Sequence, residues 1–227
     1  MIPLRDQASS KGIPLITVLL IIINIYVFLK EIQLGSALRG VITHYAVIPA
    51  YYLSGDSWHA AQVLQKQVSL VSALFLHAGW IHLLSNMWYL WIFGDNIENT
   101  FGHTRFLLFY IICGVSGNAA HIVMNSASTV PALGASGCIA GVLGAYFLLF
   151  PRAKIVTLLP IVVIWTIAEV PAFFFLGIWF LIQFFNGFAM LPCSEQGTCI
   201  AWWAHIGGFT AGIVLTLFFK VTGRIRR

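Results

Sequence analysis

A serine set between glycines is the first residue in this chain that could do chemistry. Ser136 lies in a Gly-Ala-Ser-Gly motif, between Gly134 and Gly137, at the head of a long apolar run. A hydroxyl in this setting either packs between helices or, with a base within hydrogen-bond distance, acts as a nucleophile. The second interpretation requires that another part of the chain supplies the base.

Histidine and asparagine side chains offer the groups that such a serine would need. His205 follows a pair of tryptophans, and His82 and Asn86 are four residues apart, so the latter two share one face of a helix. An imidazole can act as a general base, and imidazole or amide N–H groups can donate to a developing oxyanion. Each could instead form hydrogen bonds between membrane helices, which is the commoner role.

The composition of the chain indicates a membrane protein. Of its 227 residues, 59% are hydrophobic and 8% are charged, and the mean hydropathy is +0.90. Charged residues make up about 25% of typical soluble domains. We therefore predict an all-α integral membrane protein with a single domain over residues 1–227. The net charge of +5 does not indicate nucleic acid, because the basic residues cluster at predicted helix ends and in the tail.

Intervals without charged residues predict six membrane-spanning helices, because a charge at mid-membrane is costly and about 20 apolar residues are needed to cross. We place the spans at approximately residues 13–32, 70–93, 106–124, 136–150, 169–189 and 203–220. The long first outer loop is expected to lie partly in the membrane. Residues 155–168 are apolar but short and contain Pro160, and the pattern leaves open whether they lie flat or fold back.

Positive charge favours an orientation with both termini in the cytoplasm. Spans 4 and 6 then both start on the outer side, so Ser136 and His205 are expected at similar depth. Both spans carry glycines at four-residue spacing, which allows helix backbones to approach closely. These glycines are Gly137, Gly141, Gly208 and Gly212.

Three motifs together resemble the rhomboid family of intramembrane serine proteases. They are the His-Leu-Leu-Ser-Asn run at residues 82–86, the Gly-Ala-Ser-Gly motif at 134–137 and the Ala-His-Ile-Gly-Gly run at 204–208, in the family's order. Residues 91–96, with Gly102 and Arg105, are similar to bacterial members. The resemblance extends from the first span to the end of the sixth.

The resemblance implies a serine endopeptidase that hydrolyses peptide bonds in or near transmembrane segments of membrane proteins. Ser136 would be the nucleophile, and His205 the general base and later the acid. The oxyanion hole would consist of His82, Asn86 and the backbone N–H of Ser136. Gly134 would shape the loop that faces the substrate, and the fifth span would be the gate for lateral access.

The resemblance also implies transmembrane protein substrates. Membrane lipid is the other expected partner, and we expect no nucleic acid, no metal and no cofactor. The sequence lacks the HExxH motif of zinc proteases. We expect a bacterial inner-membrane location, with the active site open to the extracytoplasmic side.

A catalytically silent relative and a small channel or transporter are the alternatives to this function. Cys193 and Cys199 could form a disulfide in an oxidising compartment, and the sequence leaves this open.

Overall fold

The structure is mostly helical, with one small sheet. The computed structural model describes residues 1–8, 12–53, 60–161, 164–189 and 200–225. Its elements are, in order, β1 (Ile2–Asp6), α1 (Leu15–Gln33), α2 (Leu38–Tyr45), α3 (Pro49–Leu53), α4 (Ala60–Ser72), α5 (Trp80–Phe101), α6 (His103–Met124), α7 (Ser136–Leu149), β2 (Lys154–Ile161), β3 (Ile164–Pro171), α8 (Ala172–Ala189) and α9 (Trp202–Val221).

The prediction of a helical membrane protein is confirmed. Helices α1, α6, α8 and α9 are long and apolar enough to cross a membrane. The segment Val63–Phe75 and helix α5 form a further apolar pair, bent by 79° at the break between them. Helix α7 is apolar but has only 14 residues. Together α1 and α5 to α9 overlap the six predicted spans.

Helix α7 lies at the centre of the bundle. Every residue from Gly137 to Tyr146 is buried, and α7 contacts α5, α6, α8 and α9. Three of these ten residues are glycine and two are alanine, so neighbouring helices can approach the α7 backbone closely. The residue at the start of α7 is therefore surrounded by the ends of several helices.

Glycine residues form the contact between α7 and α9. A Cβ atom at Gly208 would overlap the carbonyl oxygen of Gly137, and one at Gly212 would overlap that of Gly141. On α7, a Cβ at Gly137 would meet only ordinary contacts, and one at Gly141 would overlap Cys113 of α6. A Cβ at Gly144 of α7 would overlap the carbonyl oxygen of Phe209 on α9, so the close approach of α7 and α9 depends on glycines of both helices.

The carboxylate of Glu98, near the end of α5, binds the start of α1. Its two oxygens accept hydrogen bonds from the backbone N–H groups of Ile16 and Thr17 and from Thr17 Oγ1, at 2.7–2.8 Å. The first N–H groups of a helix have no partner within that helix, and negative charge is favourable there. Glu98 therefore fixes the beginning of α1 against α5.

The first loop contains the helices α2, α3 and α4, and it packs against the segment that leads into α7. Val47 forms an antiparallel bridge with Ala132, and the N–H of Ala50 donates to the carbonyl oxygen of Ser128 at 2.9 Å. These contacts hold the chain just before α7 in place.

Residues 154–161 and 164–171 form a β-hairpin, which answers the question left open for residues 155–168. Strand β2 pairs antiparallel with β3 along its length, and β1 pairs with the other edge of β2. Ile, Val and Thr favour strands, and Pro160 interrupts any helix. Lys154 Nζ donates to the carboxylate of Glu169 at 2.8 Å, and this hydrogen bond lowers the pKa of Glu169.

Strand β1 attaches this sheet to the helices through Asp6. Asp6 Oδ2 accepts hydrogen bonds from Tyr146 Oη of α7 at 2.6 Å and from Asn96 Nδ2 of α5 at 2.8 Å. Burial raises the pKa of Asp6, and these two hydrogen bonds oppose that rise. The sheet was not among the sequence predictions, and it joins the ends of α5 and α7.

We expect Gly212→Ala to destabilise the bundle, because its methyl group would overlap the carbonyl oxygen of Gly141 and push α9 away from α7. Overpacking of this kind costs about 1–3 kcal/mol. Thermal unfolding in detergent should therefore show a lower midpoint. Gly40→Ala in α2 is the control, since nothing lies within 4 Å of a Cβ there. Equal midpoints for both variants would contradict the packing argument.

Candidate active site

Ser136 is the first residue of α7, and the loop before it is tightly fixed. The N–H of Gly134 donates to the carbonyl oxygen of Ala73 at 2.8 Å. Gly134 has a φ of +126°, a conformation that residues with a side chain rarely adopt. The glycine two residues before the serine is therefore required by the turn that leads into α7.

His205 lies in the first turn of α9, and its Nε2 is 2.8 Å from Ser136 Oγ. The two residues are 69 positions apart in the sequence. The contact of Gly208 with the carbonyl oxygen of Gly137 lies immediately beyond them on both helices and sets their separation. The rings of Trp179 and Trp202 lie 6.0 and 6.2 Å from the imidazole, so aromatic side chains flank it.

A glutamine from α8 occupies the other side of the imidazole. His205 Nδ1 is 2.8 Å from Oε1 of Gln183, which is buried. Gln183 Nε2 donates in turn to the carbonyl oxygen of Trp179 at 3.1 Å. The sequence analysis did not select Gln183. The available signal was a single glutamine inside an otherwise apolar stretch of the fifth predicted span.

His82 and Asn86 lie on one face at the start of α5, as their spacing predicted. A Cβ atom placed on Gly134 would come within 2.7 Å of the His82 ring and 3.7 Å of Asn86 Nδ2. Both side chains are therefore close to the loop that leads to Ser136. Asn86 Nδ2 is buried and has no hydrogen-bond partner among the described residues. An unpaired buried donor is costly in a protein that binds nothing there.

Ser136, His205, His82 and Asn86 line one cavity of about 850 Å³. Its walls also include residues 78–81 at the start of α5, residues 130–133 before α7, and residues 200–201 before α9. The predicted site residues therefore meet in a space large enough for several residues of an extended peptide. Ser85 lines the same cavity, but its Oγ donates to the carbonyl oxygen of His82 at 3.0 Å.

Other candidate groups do not join this cluster. His77 is buried, with its ring 5.1 Å from that of His82, and its backbone N–H donates to the carboxylate of Glu31. Among the described residues, no group of three or more His, Cys, Asp or Glu side chains could hold a metal ion. Cys193 and Cys199 lie outside the described residues, so their pairing stays an open prediction.

The sequence model of the Rhomboid domain matches residues 64–221, a range that contains every residue of this cavity cluster. The chain belongs to the rhomboid family. This confirms the resemblance drawn from the three motifs. The matched range starts within α4 and ends at the last residue of α9.

Three relatives illustrate the similarity. The chain is 32% identical over 163 residues to the mitochondrial RHOMBOID-like protein 6 of Arabidopsis thaliana, covering 72% of this chain and 47% of the relative. It is 28% identical over 153 residues to the mitochondrial Rhomboid protein 1 of Saccharomyces cerevisiae, covering 66% and 41%. It is 33% identical over 137 residues to the rhomboid protease GluP of Bacillus subtilis, covering 60% and 25%. The similarity thus spans less than half the length of these relatives.

We expect Gly134→Ala to disrupt the cavity. The new methyl carbon would lie 2.7 Å from atoms of the His82 ring. Alanine would also be strained at the positive φ of this position. Strain and displacement together should reduce labelling of Ser136 by a fluorophosphonate by at least about tenfold, equivalent to roughly 1.4 kcal/mol. Gly79→Ala is the control, since it lies beside the same cavity with open space around its Cβ. Unchanged labelling of the Gly134 variant would show that this contact is not required.

Proposed function

We propose that this protein is an intramembrane serine endopeptidase that uses Ser136 and His205 as a catalytic dyad. The observation that carries the proposal is the 2.8 Å contact between Ser136 Oγ and His205 Nε2 inside a cavity shared with His82 and Asn86. Membership of the rhomboid family supports it, as does similarity to a relative named as a protease.

The dyad would act in two steps of acyl transfer. Ser136 Oγ bonds to the carbonyl carbon of the substrate while its proton passes to His205 Nε2. His205 then gives this proton to the amine nitrogen, the C–N bond breaks, and an ester on Ser136 remains. A water molecule, deprotonated by His205, attacks the ester, and the proton returns to Ser136 as the new carboxylic acid leaves.

An oxyanion hole would stabilise the negative charge that develops on the carbonyl oxygen in both steps. The donors are the His82 ring, Asn86 Nδ2 and the N–H of Ser136, which is at the first position of α7 and has no carbonyl partner in its own helix. The absence of a protein partner for Asn86 Nδ2 among the described residues supports this role. A donor held ready in this way stabilises the transition state without reorganising.

The substrates would be transmembrane segments of other membrane proteins. A substrate helix has to unwind before its backbone can enter the cavity, because helical amides are already paired. We therefore expect cleavage near small residues and helix-breaking residues, with lateral access past α8. The distribution of Lys and Arg favours cytoplasmic termini and a cavity open to the opposite side. The bacterial inner membrane is the proposed location.

Ser136→Ala should abolish cleavage of a transmembrane model substrate in detergent, with a loss of roughly 10³-fold or more, because Ser136 is the only nucleophile that contacts His205 among the described residues. Ser85→Ala is the matched control, since this serine lines the same cavity but its hydroxyl is bonded within its own helix. Equal cleavage by wild type and Ser136→Ala would refute the proposed function. If this protein is instead a catalytically silent member of the family, neither wild type nor Ser136→Ala will cleave the substrate.

Asn86→Ala should lower kcat by about 10²- to 10³-fold with little change in KM, because the donor acts on charge that exists only in the transition state. Asn118→Ala provides the contrast: its Nδ2 donates to the carbonyl oxygen of Leu70, away from the cavity. That variant should lower the thermal midpoint and leave kcat nearly unchanged. A higher KM with an unchanged kcat in Asn86→Ala would argue against an oxyanion role.

A further inference from the structure

Gln183 is an unusual residue for its position on α8. Among residues 181–189, all of which the structure describes, only Gln183 is buried. Helix α8 is also the least enclosed of the four long apolar helices. Of its 18 residues 22% are buried, against 28–44% in the apolar segments of the same length in α1, α6 and α9. An amide in apolar surroundings is costly unless it is hydrogen-bonded, so its burial here requires specific partners.

The two hydrogen bonds of Gln183 determine the tautomer of His205. Nε2 of the amide donates to the carbonyl oxygen of Trp179, which directs Oε1 toward His205 Nδ1 at 2.8 Å. A carbonyl oxygen can only accept, so the proton must be on Nδ1. The lone pair of the neutral ring is then on Nε2, which faces Ser136 Oγ.

We propose that Gln183 is a positioning residue that holds His205 in the tautomer able to take the proton of Ser136. This inference rests on the proposed function. It makes the site an arrangement of Ser, His and Gln in which each member comes from a different helix. Because the third member is on α8, the base is fully oriented only while α8 is packed against α9.

Gln183 is expected to change the rate of the chemical step, in which His205 takes the proton of Ser136. When Nε2 takes the proton, the imidazole becomes positively charged, and the hydrogen bond from Nδ1 to Oε1 becomes charge-assisted and stronger. Loss of a hydrogen bond to a charged group corresponds to roughly a 10- to 100-fold change in rate. The loss should appear in kcat and in the reactivity of Ser136, while KM stays the same.

A purely structural role for Gln183 predicts a different order among variants. Gln183→Met keeps the length and flexibility of the side chain and removes the acceptor, whereas Gln183→Glu keeps an acceptor oxygen and adds an ionisable group. If the residue only fills space in an apolar helix, Met is the better replacement. If the acceptor matters, Glu is the better one.

The test measures labelling of Ser136 by a fluorophosphonate, in which Oγ displaces fluoride from phosphorus and its proton passes to His205. The same proteins are assayed for kcat and KM on the transmembrane model substrate, and for their thermal midpoints. Asn186→Ala is the matched control, because this amide is on the same helix and donates to the carbonyl oxygen of Ile182. It should label at the wild-type rate.

We expect Ser136 in Gln183→Met to be labelled roughly 10- to 100-fold more slowly than in wild type, and Gln183→Glu to recover most of the labelling rate. The KM for the transmembrane model substrate should be unchanged in Gln183→Met. Labelling of Gln183→Met at the wild-type rate, or faster than Gln183→Glu, would overturn the positioning role while leaving the proposed function intact. A wild-type protein that is neither labelled nor able to cleave would overturn both.

Discussion

The contact between the α7 and α9 backbones is the constraint on which the rest of the structure depends. Inside a membrane, hydrophobic burial does not drive helices together, because lipid tails are as apolar as leucine side chains. Close packing and hydrogen bonding have to do so. Gly208 and Gly212 bring α9 against the carbonyl oxygens of Gly137 and Gly141. Since Ser136 and His205 precede these contacts on their helices, their distance follows from the backbone geometry.

Carboxylates complete the hydrogen bonding of the backbone where helices begin or break. The segment before α5 and α5 itself are bent by 79°, which frees backbone groups near the break. Glu31 of α1 accepts the N–H of His77 there, and Glu98 accepts N–H groups at the start of α1. An unpaired backbone group costs several kcal/mol in a membrane, so Glu31 stabilises the break before α5, which places His82 near Ser136, and Glu98 stabilises the start of α1.

Residue patterns predicted the helices because these depend on local signals, and the three motifs selected the candidate residues that line the cavity. Runs without charge predicted the apolar helices, and four-residue spacing predicted that His82 and Asn86 share a face. Strand β1 was missed because it pairs with a strand about 150 residues away, as in Pro3 with Thr157, and no local pattern specifies that partner. Gln183 was missed because a polar residue in an apolar helix does not indicate by itself which neighbour it binds.

A neutral amide suits its place beside His205 for an energetic reason. A carboxylate there would stabilise the protonated imidazole more strongly, but burying its charge in a helix otherwise exposed to lipid costs several kcal/mol. Glutamine supplies the directional acceptor that orients the ring without that cost. It also leaves α8 free to separate from α9, because breaking a neutral hydrogen bond exposes no unpaired ion. In the proposed function the substrate enters past α8, and an orienting group on that helix then has to be weakly held; an amide satisfies that condition.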